Sequence, residues 1–215
     1  MADTRQPATR QRLIDGAIET IRTHGFAGTS ARSIAATAGV NQALVFYHFT
    51  SVHELLAEAC LVETRARVAP FAARLDTVRS VRELLSLGRS LHEEERGRGN
   101  VVVLAQMLAA SQNHPALASA TAAALRMWID PIETALTRLL ADSPVAEVVD
   151  TAGLARAVSA GFVGLELYEG VDPAGALSAL DALDQLSVLV EVVDDLGPVA
   201  RRALRGKLRR TQGAP

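Results

Sequence analysis

Apolar residues recur along this chain at intervals of three and four, which is the spacing of one helix face. The first such stripe contains Ile14, Ala17, Ile18 and Ile21. Gly25 follows it, and a helix commonly ends at a glycine in the left-handed conformation. The pattern therefore predicts a first helix that starts near Pro7 or Thr9 and ends before Gly25.

Two shorter helices, joined by a glycine turn, are predicted next. The hydroxyls of Thr29–Ser30 supply an N-cap for a helix over residues 31–38. Gly39 follows directly, where a tight turn between helices needs a positive φ that glycine adopts without steric cost. Asn41 then caps a third helix that runs to about His48.

The rest of the chain is also predicted to be helical. Ser51 and Glu54 form a capping-box pattern, which predicts the start of a long fourth helix. Beyond Pro70, we expect helices near residues 78–93, 100–112, 116–141, 151–168, 174–195 and 198–210. Because alternating strand patterns bounded by hairpin turns are absent from the sequence, the predicted fold class is all-α.

The second and third predicted helices have the features of a helix-turn-helix, in which the second helix of the pair enters the major groove of DNA. Its inward apolar anchors are Ile34, Val40, Val45 and Phe49. Its outer and end positions are Gln42, Ala43, Leu44, Phe46, Tyr47 and His48. The alternative is an ordinary helical hairpin within a larger core, in which Phe46 and Tyr47 are buried.

The outer residues have the chemistry for contacts with DNA. Gln42 can bind adenine through two hydrogen bonds, and Ala43 and Leu44 can touch a thymine methyl group. Tyr47 and His48 suit phosphate oxygens. Three further candidates lie at the start of the helix predicted over residues 31–38. The hydroxyls of Thr29 and Ser30 suit phosphates, and Arg32 can reach guanine or phosphate.

Charge is distributed unevenly. Residues 1–51 carry a net charge of +2 and the remainder −4, giving −2 overall. A weakly basic N-terminal region permits nucleic-acid binding, but it is not basic enough for tight binding by a monomer. We therefore expect DNA binding to depend on dimerisation.

Composition narrows the remaining function classes. Hydrophobic residues make up 49% of the chain, which favours a buried core. Cys60 is the single cysteine, which fits a reducing cytoplasm.

The uncharged stretch 99–125 could suggest a membrane span, but the polar segment 111–115 with its proline predicts two core helices instead. A cytoplasmic location without membrane association is expected.

Two alternative functions are an enzyme and a helical scaffold for another protein. The sequence lacks a Gly-rich phosphate loop, a Gly-x-Ser-x-Gly elbow and a paired metal-ligand motif. No catalytic residue, metal site or cofactor is therefore predicted. A scaffold would form a stable complex with a non-identical partner and would show no salt-sensitive DNA binding.

The segment TSARSIAATAGVNQALVFYHF at residues 29–49, continuing into TSVHELL at 50–56, resembles the N-terminal domain of the TetR family. The similarity covers roughly residues 10–60. It implies a ligand-responsive transcriptional regulator, usually a repressor. By position, Arg32 and Gln42 match base-contacting sites, and groove or phosphate positions are matched by Ala43, Leu44, Phe46, Tyr47 and His48. Asn41, directly before Gln42, completes the set of predicted DNA-binding residues. Val52 stands where many members have a lysine, which puts one phosphate contact in doubt.

The resemblance also implies the domain organisation and the partners. A DNA-binding domain would span residues 1–51, and a helical ligand-binding and dimerisation domain residues 52–215. The expected partners are palindromic operator DNA, a small-molecule effector and a second copy of the chain. The homodimer would form through residues of about 151–195, where helices 151–168 and 174–195 carry wide apolar stripes.

Candidate effector-binding residues are identified only by their residue types. The candidates are Gln106, Met107, Trp128, Phe162, Glu166 and Tyr168. Each of these residue types is more often found in a core or on a surface than in a ligand site. The basic tail over residues 201–210 could touch DNA or an anionic membrane, but a solvated terminal helix is the favoured interpretation.

Overall fold

A computed structural model describes residues 5–96, 100–147 and 149–212. Over these residues the chain is helical and contains no β-strand, which confirms the all-α prediction. Its helices are α1 (Arg5–His24), α2 (Ala31–Ala38), α3 (Ala43–His48), α4 (Val52–Thr77), α5 (Val81–Arg96), α6 (Asn100–Ser111), α7 (Pro115–Leu140), a 3-10 turn (Pro144–Glu147), α8 (Thr151–Glu169), α9 (Pro173–Asp194) and α10 (Pro198–Gln212). None of the described helices combines the length and apolarity needed to cross a bilayer.

Helix α5 begins at Val81 rather than near residue 78, where the sequence pattern predicted its start. A capping box causes this shift. The Glu83 backbone N–H donates to Ser80 Oγ at 3.1 Å, and the Arg79 N–H donates to the Glu83 carboxylate at 2.7 Å. These bonds satisfy N–H groups that lack partners within the helix, so the helix begins after Ser80.

The chain divides into two compact units. The first comprises Met1–Ala69 and Glu95–Met127, and the second comprises Pro70–Glu94 and Trp128–Pro215. The first unit contains α1, α2, α3, α6, most of α4 and the first half of α7 around one apolar core. Its fully buried members include Leu13, Ile14, Ile34, Val45, Leu55, Met107 and Leu117. The core of the second unit includes Phe71, Leu75, Leu87, Leu91, Ile132, Leu136 and Ala155.

Gly16 marks the closest approach of α1 and α2. A Cβ atom added at Gly16 would lie 2.9 Å from the Ala38 Cβ and 3.1 Å from the Ala38 nitrogen. The neighbouring turn of α1 is fixed to α2 by a hydrogen bond of 3.0 Å from the Thr20 hydroxyl to the Thr37 hydroxyl. The absence of a side chain at position 16 therefore lets α1 support the turn that follows α2.

Replacing Gly16 with alanine is expected to destabilise the protein by about 1–2 kcal/mol, because overpacking outweighs the gain in helix propensity. Gly88→Ala in α5 is the matched control, since a Cβ there would meet no atom within 4 Å. That variant should gain about 0.5–1 kcal/mol. Urea unfolding followed by circular dichroism measures both. Equal effects of the two substitutions would contradict this packing.

Cys60 is buried in the core of the first unit, with 5% of its surface exposed. Burial raises the pKa of its thiol, and the hydrogen bond with Thr64 only partly opposes this. The thiol should therefore be neutral at pH 8 and react with iodoacetamide only after unfolding, because the thiolate is the reactive form. Mass spectrometry should show no adduct in buffer and one in denaturant. Rapid alkylation of the folded protein would contradict the burial.

Candidate nucleic-acid interface

The N-terminus of α2 is fixed by a reciprocal pair of serines. Ser30 is the N-cap: its Oγ accepts from the Ser33 N–H at 3.1 Å, and Ser33 Oγ accepts from the Ser30 N–H at 2.8 Å. The preceding Thr29 donates its hydroxyl hydrogen to the Gly25 carbonyl at 2.8 Å. The predicted N-cap is confirmed, and the start of α2 has a defined direction.

The turn after α2 depends on Gly39, whose φ of 63° and ψ of 40° lie in the left-handed region. The Val40 N–H then donates to the Ala35 carbonyl at 2.9 Å. Arg12 of α1 closes the turn from outside by donating to the carbonyls of Ala38 and Gly39 at 2.7 and 3.0 Å. The glycine was predicted from the sequence, but the role of Arg12 was not.

Helix α3 is short and is held at both ends. The Asn41 side chain accepts from the Ala43 N–H at 2.8 Å, although Gln42 occupies the N-cap position itself. Val45 is fully buried, and Phe49 ends the helix with 2% of its surface exposed. The Arg10 guanidinium lies 4.9 Å from the centre of the Phe49 ring. These anchors fix which face of α3 points outward.

Seven of the ten residues predicted to contact DNA are exposed in the first unit: Ser30, Arg32, Asn41, Gln42, Ala43, Phe46 and Tyr47. Phe46 and Tyr47 are 57% and 65% exposed, which removes the alternative that both are buried in a hairpin core. The Tyr47 and His48 rings form an edge-to-face pair with centres 4.9 Å apart.

The other three predicted residues, Thr29, Leu44 and His48, are half-buried. Leu44 packs against the core of the first unit, as does Val52 at the start of α4. An apolar residue at position 52 therefore contributes to packing in a place where a lysine would extend a charge towards solvent. The contact role assigned to Leu44 stays a prediction, with only part of its side chain accessible.

Several arginines of α1 have partners within the first unit. Arg10 forms an ion pair with Glu58, and Arg22 forms one with Glu19 at 2.6 Å. Arg12 is bonded to the carbonyls of the turn. Since these cations are engaged, the exposed Arg32 becomes the more important positive charge for a base or phosphate contact.

The start of α4 carries the predicted capping interactions. The Glu54 N–H donates to Ser51 Oγ at 3.1 Å, and the Glu54 carboxylate accepts from the Thr50 N–H at 2.7 Å. Both predicted acceptors are used, and the carboxylate satisfies the N–H of Thr50. Helix α4 therefore starts at a defined point directly after the helix-turn-helix.

Helix α6 packs on the same unit near the loop after α1. The Phe26 N–H donates to the Gln106 side-chain oxygen, and Met107 is fully buried. The rings of Phe26, His53 and His114 lie together, with the two imidazole centres 4.8 Å apart. Two of the predicted effector residues, Gln106 and Met107, thus have structural contacts in the first unit.

The other four predicted effector residues belong to the second unit. Trp128 packs on Phe71 with ring centres 5.4 Å apart, and Phe162 lies edge-to-face on His92 at 6.3 Å. Glu166 Oε1 lies 2.5 Å from His92 Nδ1, within hydrogen-bonding distance. The exposed Tyr168 donates its hydroxyl hydrogen to Asp172 at 2.8 Å, which raises the pKa of Tyr168. The backbone N–H of Gly175, together with the Tyr168 hydroxyl, lowers the pKa of Asp172.

Comparison with known proteins supports the interpretation of α2 and α3 as a helix-turn-helix. Residues 13–59 match the family described as bacterial regulatory proteins, tetR family. This segment includes most of α1, all of α2 and α3, the glycine turn and the start of α4. No curated protein sequence matches the chain.

Solved structures are similar over most of the chain. A Streptomyces coelicolor A3(2) protein described as a transcriptional regulator, SCO7518, is 26% identical with a TM-score of 0.64, covering 84% of this chain and 99% of that one. A protein described as a TetR-family regulator from Rhodococcus sp. is 21% identical with a TM-score of 0.69, covering 84% and 98%. The regulator FadR from Bacillus subtilis, solved with stearoyl-CoA, is 17% identical with a TM-score of 0.68, covering 83% and 97%. The chain thus carries the N-terminal helix-turn-helix domain of the tetR family and has the fold of TetR-family transcriptional regulators.

Proposed function

We propose that this chain is a homodimeric transcriptional repressor that releases its operator when a small molecule binds its helical ligand-binding domain, residues 52–215. The observation that carries the proposal is the outward face of α3. Gln42, Phe46 and Tyr47 are exposed there while Val45 and Phe49 are buried beneath them. A short helix with buried anchors and exposed polar and aromatic groups is the element that a helix-turn-helix inserts into the major groove.

The proposed dimer forms through α8 and α9. Both helices expose large apolar side chains in the single chain: Val158, Leu167, Leu177, Leu183, Val188, Leu189 and Val192. A Cβ at Gly161 or Gly164 would meet no atom within 4 Å, so this surface of α8 is open to a close helix neighbour. Exposed apolar surface of this extent favours an interface, and a two-fold axis would make it self-complementary.

The effector is proposed to change the orientation of the two helix-turn-helix elements of the dimer. Its binding would select one conformation of the ligand-binding domain, in which α4 moves the two α3 helices out of register with adjacent major grooves. Within the first unit, the hydrogen bond between Gln106 and Phe26 joins α6 to the loop after α1. Bacillus subtilis FadR, which shares this fold, was solved in complex with stearoyl-CoA, which supports the proposal that this chain also binds a small molecule.

Fluorescence anisotropy with labelled DNA from the region upstream of the protein's own gene tests the proposal. We expect binding that is specific over a scrambled duplex of the same length and that weakens as salt concentration rises, because phosphate contacts release counterions. Equal binding to both duplexes would contradict the proposal that the chain recognises a specific operator. A complete lack of binding at low salt would contradict DNA binding itself.

A further inference from the structure

Three ionisable side chains meet in the interior of the second unit. His92 lies on α5, and Glu166 and Glu169 lie one turn apart on α8. Their side chains are only 2%, 6% and 9% exposed. Buried polar atoms in proteins are normally hydrogen-bonded, so a buried nitrogen of this cluster that lacks a hydrogen-bond partner needs an explanation.

The hydrogen bond to Glu166 defines the imidazole. His92 Nδ1 lies 2.5 Å from Glu166 Oε1, and an ionised carboxylate can only accept, so Nδ1 carries the hydrogen. In the neutral ring, Nε2 then bears a lone pair. Nε2 lies 3.3 Å from Glu169 Oε2, and within the described part of the chain this buried nitrogen makes no hydrogen bond.

A lone pair and a carboxylate oxygen that face each other in a buried place repel unless a cation lies between them. A proton would require a well-aligned hydrogen bond, which the geometry at Nε2 does not provide. A metal ion lies off the line between its ligands. Two ligands at about 2.0–2.1 Å from a tetrahedral zinc ion are about 3.3 Å apart, which is the separation observed here.

We propose that His92, Glu166 and Glu169 form a binding site for a divalent transition-metal ion of the zinc class. His92 Nε2 and the Glu169 carboxylate bind the ion, and Glu166 orients the imidazole through its Nδ1–H group. One nitrogen and one oxygen from each carboxylate all lie within 4.8 Å of one another.

The ligand set defines the class of ion. An imidazole nitrogen favours zinc, cobalt or nickel over magnesium and calcium, which prefer oxygen ligands. The site stands independently of DNA binding, since none of its residues belongs to the helix-turn-helix.

Isothermal titration of the chelator-treated full chain with Zn²⁺ tests the proposal, with Mg²⁺ as the comparison ion. We expect one Zn²⁺ per chain and no comparable Mg²⁺ binding. His92→Gln and Glu169→Gln should abolish this binding. Glu166→Gln should weaken it about 10- to 100-fold, as expected for a residue that orients a ligand. Glu93→Gln, which changes the exposed carboxylate beside His92, is the matched control and should bind like the unchanged protein.

A second variant separates this site from the other imidazoles. His53 and His114 lie close together in the first unit and could also attract Zn²⁺. Binding that is lost in His114→Gln but kept in His92→Gln would overturn the proposal, as would no binding by the unchanged chain. If the His92 variant loses its circular dichroism signal, anomalous diffraction from crystals soaked in Zn²⁺ decides. A peak between His92 and Glu169 supports the site, and its absence there overturns it.

Discussion

Gln42→Ala is expected to weaken binding to the specific operator by between about fivefold and about 150-fold. A bidentate contact between a side-chain amide and adenine contributes about 1–3 kcal/mol to discrimination against the wrong base. Gln42 is exposed beside the first residue of α3, where the substitution removes the amide without opening a cavity in the core. Anisotropy measured on specific and scrambled duplexes checks the result, and affinity for the scrambled duplex should stay nearly constant.

The matched control for this substitution is Gln11→Ala. Gln11 is an exposed glutamine of α1, where it donates to Asp15 at 2.9 Å on the helix surface. The same chemical change there should leave operator affinity within twofold, on the order of 0.4 kcal/mol or less. If both variants lose affinity equally, Gln42 has no specific role and the base contact assigned to it is wrong.

Leu189→Lys is expected to separate the dimer and, with it, to lower operator affinity towards the non-specific level, a fall of at least about a thousandfold. Leu189 is 62% exposed in the single chain, so the substitution should leave the fold of each chain intact. Because a two-fold axis pairs the same surface of both chains, the interface would have to bury the new lysine of each chain. Analytical ultracentrifugation should show monomers, and circular dichroism should show unchanged helix content.

Val199→Lys provides the control for that experiment. Val199 lies on α10, outside the proposed interface, and is 83% exposed. The same charge added there should leave both the sedimentation and the operator affinity unchanged. Dimers that persist in Leu189→Lys, or dimers lost equally in both variants, would contradict an interface built from α8 and α9.

Local signals in the sequence account for most of the helix boundaries. Gly39 predicted a left-handed turn because few other residues tolerate a positive φ, and the turn has that conformation. Ser51 and Glu54 predicted the start of α4 through the capping box. The same pattern at Ser80 and Glu83 would have placed the start of α5 correctly, so this boundary was missed although its signal was present.

Contacts between distant residues could not be predicted in the same way. Arg12 closes the turn after α2 from a position 26 residues away, and its sequence neighbours give no indication of that partner. His92 and Glu166 are 74 residues apart, so no metal-ligand spacing joins them. The inward packing of Leu44 and Val52 was missed for a related reason: it depends on the core of the first unit and on no local pattern.

Two copies of this helix-turn-helix are proposed to bind adjacent turns of one operator. Hydroxyl-radical footprinting of the DNA upstream of the protein's own gene measures this arrangement. We predict two protected half-sites related by a two-fold axis and centred about 34 Å apart, or a multiple of that distance, with protection lost in the Leu189→Lys protein. A single protected site, or protection spread evenly along the duplex, would rule out binding of one operator by a two-fold dimer.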